Sequence, residues 1–448
     1  MRVFTHTLLI VLCGFGSGKC QFFRNMIDLV DPFHLLHSRQ EASTPAPPSL
    51  EPVVKPVEVE KAIFQISGKL QALLGTDNNQ VIENYLISPI CAINLLGQFL
   101  LGNRGNASQH LENLLGLSPK PKVAKREVNV VELTSDHLYN EKVYHPVFHW
   151  RVRKRSSQLS RPNPHYQVSI RNALVYQRNF DLSAYWKSNA ADFYKTLLIT
   201  SDNTSALLEW RNFGTRTNLL IENLQNQALQ LSRFQIETKF NAHFTEEETE
   251  DVFRVSRHER SRVKYMQGLI RNTLFMNTPD FTLTVIPLQG QALHMYILLP
   301  RNDIYNIHHF SESIEDFQTF KAIQEEHKYN FLDLKIRLPN IFNCTEELDV
   351  LKGLRSRSAN LEGPFNLNRV AHDLKLTHAV QQLQISISSK DAQEKMRQEE
   401  TAENPVPLVN LQVTTPFLFF IMQEKHKIVL LWGSISDPSQ LVHRTLRP

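Results

Sequence analysis

The chain has 448 residues, enough for one large domain or two to three ordinary ones, and its 42% hydrophobic content supports a sizeable core. Forty-nine basic against 45 acidic residues leave a net charge of +4, which excludes the uniform field of a nucleic-acid-binding surface. Four cysteines in so long a chain exclude a disulfide scaffold, and no C-x-x-C spacing points to a structural metal.

From the N-terminus, Arg2, the short apolar run Leu8–Phe15 and the small residues Gly16-Ser17-Gly18 read as a signal peptide over residues 1–20. No other segment approaches the roughly 18 apolar residues of a membrane span, so the expectation is a secreted, extracellular protein. Residues 21–57 form an extension with Pro45, Pro47, Pro48, Pro52 and Pro56 in its second half, an extended linker rather than core. Helical periodicity begins at Val59, with Ile63, Ile66, Leu70, Leu73 and Leu74 on one face. A strand, Asn84–Ile87, then runs into Ser88-Pro89, a helix cap followed by a proline that fits the first turn. That helix carries Ile93, Leu96, Phe99 and Leu100 and stops at Leu101-Gly102; a second follows through His110 and Leu114 to Gly116.

Residues 119–164 are polar and basic, with Lys120, Lys122, Lys125 and Arg126 in one cluster and Arg151, Arg153, Lys154 and Arg155 in another. They read as an insertion at a surface helix or loop. His145 and His149 are spaced i, i+4, but Pro146 argues against a helix there. Further on, Val263–Gly268, Phe281–Gly290, Leu293–Pro300 and Lys335–Pro339 read as strands. The last fifth holds a Lys/Gln/Glu-rich stretch, Ser388–Asn404, then Pro405-Val406-Pro407 and two apolar runs, Phe417–Met422 and Ile428–Trp432. Each run has the length of a buried strand, and the polar connection Gln423–Lys427 makes them a hairpin. Residues 439–448 are a tail.

Beyond the leader, Cys91 and Cys344 remain; two isolated buried thiols and a single bridge are both open, the thiols favoured. Asn106, Asn203 and Asn343 begin Asn-x-Ser/Thr sequons and are candidate glycosylation sites in a secreted chain. Neither an H-E-x-x-H nor a G-x-S-x-G spacing occurs, so no catalytic residue, metal or cofactor is expected and the chain is not read as an enzyme.

This order of elements resembles the serpin family. The likeness rests on the strand–Ser88-Pro89–helix–Leu101-Gly102–helix block, on Lys335-Ile336-Arg337-Leu338-Pro339 with Phe342 and Leu348, and on the strands between 263 and 300. It rests most on the hairpin led by Thr415-Pro416-Phe417-Leu418-Phe419-Phe420 and closed by Trp432-Gly433. It spans residues 58–438. The resemblance implies a mixed α+β fold, with early helices around a large central β-sheet and the C-terminal hairpin in a second sheet. It also implies a suicide inhibitor of serine proteases: a protease cleaves an exposed loop, here within residues 385–410, and the loop inserts as a new strand into the central sheet.

Insertion needs small residues in the first half of that loop. Thr377-His378-Ala379-Val380 is similar to the family's His-Lys-Ala-Val. Counting on without gaps, the usual hinge Glu, Gly and Thr fall on Ile385, Ile387 and Ser388. The small-residue run then falls on Ser389–Met396, which includes Lys390, Asp391, Glu394 and Lys395. Ile387 is stiff where glycine is permissive, and alternate charges would be buried on insertion. The family's Ser-Asn-His gate falls on Ser88, Ser232 and Thr377, with His378 one residue away as the other possibility. A tryptophan of the family is replaced by Phe240. The bait residue is bracketed by a forward count to Thr401 and a backward count to Pro405, so Thr401, Ala402, Glu403 and Asn404 are the scissile region, suited to an elastase-like pocket.

The sequence therefore reads as a non-inhibitory binder, carrier or decoy. The alternatives are an active inhibitor of an elastase-like or cysteine protease, and a precursor cut at Arg153–Arg155. Implied partners are an extracellular protease and a glycosaminoglycan or other polyanion at Lys125, Arg126, Arg151, Arg153, Lys154 and Arg155; a merely solvated basic loop is the competing reading. No nucleic acid or membrane is implied, and a monomer is expected.

Overall fold

The computed structural model describes residues 59–74, 84–102, 111–112, 114–115, 117, 137–224, 227–301, 307, 330–352, 365–367, 369–389 and 407–441, all within the unit Pro56–Pro448. The expected signal peptide, the whole Pro-rich extension, Lys125, Arg126, Asn106, Lys390 and Thr401–Asn404 lie outside the described residues.

The first apolar stripe makes α1 (Val59–Leu74), burying Ile63, Phe64, Ile66 and Leu70. Strand β1 (Tyr85–Ile87) leads through Ser88 into α2 (Pro89–Gly102), a helix apolar on all sides and almost wholly buried. The Ser88 hydroxyl, expected as the cap, holds no backbone amide of that helix. Next come α3 (His137–Leu159), β2 (Tyr166–Tyr176), α4 (Ala184–Tyr194) and β3 (Thr196–Thr200). Two short helices, α5 (Thr204–Arg211) and α6 (Thr215–Glu222), precede β4 (Gln227–Lys239). Then follow β5 (Phe244–Arg254), β6 (Arg260–Asn277), β7 (Phe281–Pro287), β8 (Leu293–Pro300) and β9 (Asn330–Pro339). The last elements are β10 (Asn343–Asp349), β11 (Phe365–Asn366), β12 (Lys375–Ser388), β13 (Leu408–Gln412), β14 (Phe417–Gln423) and β15 (Ile428–Ile435).

The expectation at Pro146 fails. Helix α3 runs straight through Pro146. Proline forfeits one backbone bond inside a helix. The C-terminal half is nevertheless held by burial of Phe148, His149, Val152 and Leu159, so tertiary packing outweighs local preference.

The strands form two sheets. One has the order β10-β12-β4-β2-β3, with β11 on β12; the other has β1-β15-β14-β8-β7-β6-β9-β13, with β5 on β6. The C-terminal hairpin thus lies in the second sheet, with every residue of both strands buried. Phe420 stacks on Trp432 at 5.6 Å and on Tyr296 at 4.7 Å, and Phe64 of α1 meets the Trp432 ring edge-on at 5.6 Å. Gly433 is required there, because a Cβ would strike the Phe419 ring. Phe240 joins the sheets through Phe342 (5.6 Å) and Phe244 (4.5 Å). Cys91 and Cys344 are both buried and unbridged.

Candidate functional site

Strands β12 and β4 run side by side in parallel, from Lys375 opposite Gln227 to Ser388 opposite Lys239. This seam is closed by its own hydrogen bonds. Ile385, Ile387 and Ser388 are the end of the paired strand: Ile385 lies between Ile236 and Cys344, Ile387 opposite Thr238, and both are buried. β-branched side chains suit such a position. The Ser388 carbonyl accepts the Phe240 amide at 2.9 Å. Ser389 closes the described strand, its hydroxyl accepting the Phe244 amide at 2.7 Å. Residues 390–406 then connect this sheet to β13 in the other.

The structure brings Ser88 and Ser232 together around Cys91. Burial pushes the Cys91 thiol up to about 12, and the neighbouring Ser232 and Ser88 hydroxyls offset part of that rise. The Ser232 hydroxyl donates to the Asn172 side-chain oxygen at 2.7 Å, and the Asn172 amide donates to the Tyr194 carbonyl at 2.7 Å. The third member is neither Thr377 nor His378. Thr377 sits in a bulge of β12, four residues and roughly 13 Å along the strand from Ser232's partner. His378 bonds Asp349 on β10 at 2.5 Å. Gln381 occupies the place: it lies opposite Ser232, is fully buried, and its side-chain oxygen accepts the Ser88 amide at 3.0 Å.

One residue further along, a second polar group bridges the seam. The Arg233 guanidinium donates to the Gln382 side-chain oxygen at 3.0 and 2.8 Å and to the Glu209 carbonyl at 2.8 Å. It stacks on Trp210 and Phe213, 4.7 and 4.9 Å from the ring centres. The Gln382 amide donates to the Trp210 carbonyl and to the Thr217 hydroxyl at 3.1 and 3.0 Å. Glu347 of β10 completes the cluster by accepting the Arg216 and Thr217 amides. These are free donors at the start of α6, where a carboxylate is favoured by the helix dipole. Gly214 leaves the room, since a Cβ there would strike the Glu347 carboxylate. Helices α5 and α6 are therefore fastened over the β4–β12 seam. Sequence reasoning missed Gln381, Cys91, Asn172 and this arginine cluster; the signal was the polar pair Gln381-Gln382 inside an otherwise apolar strand.

The basic residues Arg151, Arg153, Lys154 and Arg155 lie on α3. Lys154 sits 5.0 Å over the Trp150 ring and Arg155 donates to Gln158 at 2.8 Å. Of the sequons, Asn203 is exposed and caps α5 through its side-chain oxygen, and Asn343 is exposed at the start of β10 beside a cleft of about 660 Å³ that also involves Ser386 and Ser388.

A family model described as Serpin (serine protease inhibitor) matches residues 70–438. Human Serpin B4 is 22% identical over 390 residues, covering 80% of this chain and 94% of the relative. Ovalbumin-related protein Y of Gallus gallus is 22% identical over 387 residues, covering 80% and 95%. Among solved structures, a thyroxine-binding globulin complex with thyroxine aligns with a TM-score of 0.61 at 15% identity, over 85% of this chain and all of that one.

Proposed function

Because the chain belongs to the serpin family, whose members are protease inhibitors rather than catalytic enzymes, we propose that it is a secreted serpin whose loop does not enter the central sheet. It acts instead as a binder, carrier or decoy. The observation that carries this reading is the bond from Ser88 to Gln381. With Gln381 rather than Thr377 in the gate, every position counted forward from the gate moves by four residues. The hinge then falls on Ser389, Asp391 and Ala392, and the segment that must insert becomes Gln393-Glu394-Lys395-Met396-Arg397-Gln398-Glu399-Glu400. The same shift carries the bait from Thr401 to Pro405, where the backward count ends independently.

Strand residues alternate faces. One face of the shifted segment carries Lys395, Arg397 and Glu399, the other Glu394 and Glu400. Either choice buries at least two charges, at several kcal/mol for each one left unpaired. A proline at the bait also lacks the N–H that a peptide read as an added strand would offer. The thyroxine-binding globulin structure is a complex with thyroxine, and a ligand bound on this fold supports a carrier reading. The cations of α3 remain the polyanion candidates of that reading, and export through the N-terminal leader, glycosylation at the sequons and a monomeric state belong to the same proposal.

The test is heat stability before and after nicking residues 390–406 with a broad-specificity protease. An unchanged melting temperature is expected. A rise of tens of degrees, or a persistent covalent complex with any protease, overturns the reading in favour of an inhibitor.

A further inference from the structure

The cleft beside Asn343 is built from three separate parts of the chain. Strands β5 and β6 give one wall, with Glu246, Glu250 and Lys264 exposed at its rim. The paired ends of β10 and β12 give a second, with Asn343, Ser386 and Ser388. The turn Pro438–Gln440 closes the cleft with Pro438 and Ser439. Its volume of about 660 Å³ lies in the range of clefts that hold a bound molecule.

Alternation settles which way Asn343 faces. Cys344, between Asn343 and Thr345, is buried, and so are Ile385 and Ile387 on either side of Ser386. Asn343 lies opposite Ser386 in the ladder, so it stands on the outer face with Ser386 and Ser388. It begins the sequon Asn343-Cys344-Thr345. A group added to its side-chain amide therefore leaves the buried packing untouched and starts inside the cleft. The chemistry of the walls narrows what that group is. Glu246 and Glu250 share the rim with Arg262 and Lys264, so neither a bare anion nor a bare cation is favoured there. The Ser386, Ser388 and Ser439 hydroxyls and the Asn340 amide donate and accept hydrogen bonds, and Val263, Pro339 and Ile341 add buried apolar surface. A neutral sugar ring, with hydroxyls at its edge and C–H groups on its faces, matches both.

We propose that Asn343 carries an N-linked glycan whose first N-acetylhexosamine seats in this cleft. The inference rests on the export and glycosylation proposed above and names what the sugar at this site does. Transfer joins the Asn343 Nδ2 to the anomeric carbon of the sugar. The bond from that carbon to a lipid pyrophosphate donor breaks, the pyrophosphate leaves with the electron pair, and Nδ2 loses one proton. Once seated, the sugar links the β5–β6 wall, the end of β12 and the turn Pro438–Gln440 at the point where the chain leaves Ser389 for residues 390–406. It also covers the start of β10, which is the outermost strand of its sheet among the described residues. A bare strand edge is a template for pairing with another chain, and a bulky polar group on it blocks that pairing. Asn203 is placed differently: its side-chain oxygen accepts the Ala206 amide and the Ser205 hydroxyl at 3.1 and 3.0 Å at the start of α5.

The experiment expresses the full-length protein in glycosylating, secreting cells and follows Asn343 by peptide mass spectrometry. A peptide-N-glycosidase is then added to the native and to the denatured protein. That enzyme cuts between asparagine and the first sugar, so its rate reports access to that sugar. Release from the native protein is expected to be at least tenfold slower than from the denatured one. A variant with Ser388→Arg and Ser439→Arg places two long side chains at exposed positions of the cleft. It is expected to bring native release to within threefold of the denatured rate. Should that pair fail to fold, Ser439→Arg alone lies outside the strands and is expected to speed native release twofold or more. An Asn343 without a glycan overturns the proposal together with the glycosylation it rests on. A glycosylated Asn343 that is released equally fast from native and denatured protein, or slow release that the cleft variants leave unchanged, overturns the seat alone.

Discussion

The arginine that bridges the seam offers the sharpest test of what holds the central sheet shut. Replacing Arg233 with methionine keeps much of the apolar stem but removes the donors to Gln382 and to the Glu209 carbonyl. Each buried acceptor left unpaired costs about 1–3 kcal/mol, and loss of the stacking on Trp210 and Phe213 adds about 0.5–2 kcal/mol. The ion pair with Glu209 adds little, because that carboxylate is half exposed. Methionine burial returns about 1 kcal/mol, so the net loss is about 2–7 kcal/mol. Gln382→Leu breaks the same contact from the other strand and also removes one donor each from the Trp210 carbonyl and the Thr217 hydroxyl, which keep the Phe213 amide and Glu347 as partners. Because the two side chains share one interaction, the double variant is expected to lose about 1–2 kcal/mol less than the sum of the singles. Equilibrium denaturation followed by tryptophan fluorescence reads all four corners of the cycle, with Trp210 inside the cluster. Additivity within about 0.5 kcal/mol would refute the claim that Arg233 and Gln382 fasten the seam as a unit.

Three other outcomes follow from the geometry. Gly433→Ala should destabilise the hairpin by about 1–3 kcal/mol, since the new methyl meets Phe419 and overpacking forces side chains off their preferred rotamers; denaturant titration checks this. Burial alone would raise the Glu424 carboxyl, but bonds from His294, Lys427 and Tyr296 outweigh it and hold the group at about 2, below its ordinary 4.5. A depressed folded pKa stabilises above the unfolded value and is lost as pH falls through the folded one. The acid limb of stability between pH 4.5 and 2 should therefore flatten in Glu424→Gln. Burial pushes both the Cys91 and Cys344 thiols up to about 12. Neither should react with a thiol reagent at pH 8 until the protein unfolds, and fast labelling of the native protein would contradict their placement.

Elements governed by a strong local pattern were legible in the sequence. The two apolar runs around Gln423–Lys427, the Ser88-Pro89 junction and the stop at Gly102 correspond to strands and a helix within a residue or a few of the reading. Their signals are length, proline and glycine position, and these act through neighbours in the chain. Helix α3 was not legible at Pro146, because what holds it is packing against residues far away. The gate failed for a related reason. The count was anchored on a short likeness at Thr377-His378-Ala379-Val380, whereas the long-range pairing of β12 with β4 sets Gln381, four residues further on, opposite Ser232. The basic cluster on α3 was read from charge alone, which does not show that Arg155 is bonded to Gln158 or that Lys154 lies over Trp150.

The two departures at the seam reinforce each other physically. A strand can enter a sheet only if the sheet parts at low cost and the strand brings a face fit for the interior. Here the sheet's β4–β12 contact carries a buried guanidinium, two glutamines and a carboxylate tied to α6, all of which lose partners if the strands separate. The entering segment would bring Lys395, Arg397 and Glu399, or Glu394 and Glu400, into the interior in their place. The cost of opening and the cost of filling therefore add, at several kcal/mol for each group left unpaired. A fold that keeps its buried hairpin and early helices needs neither step, because those contacts are complete with the loop outside. The proposed binder or carrier role requires only stability without insertion, and these same residues favour it.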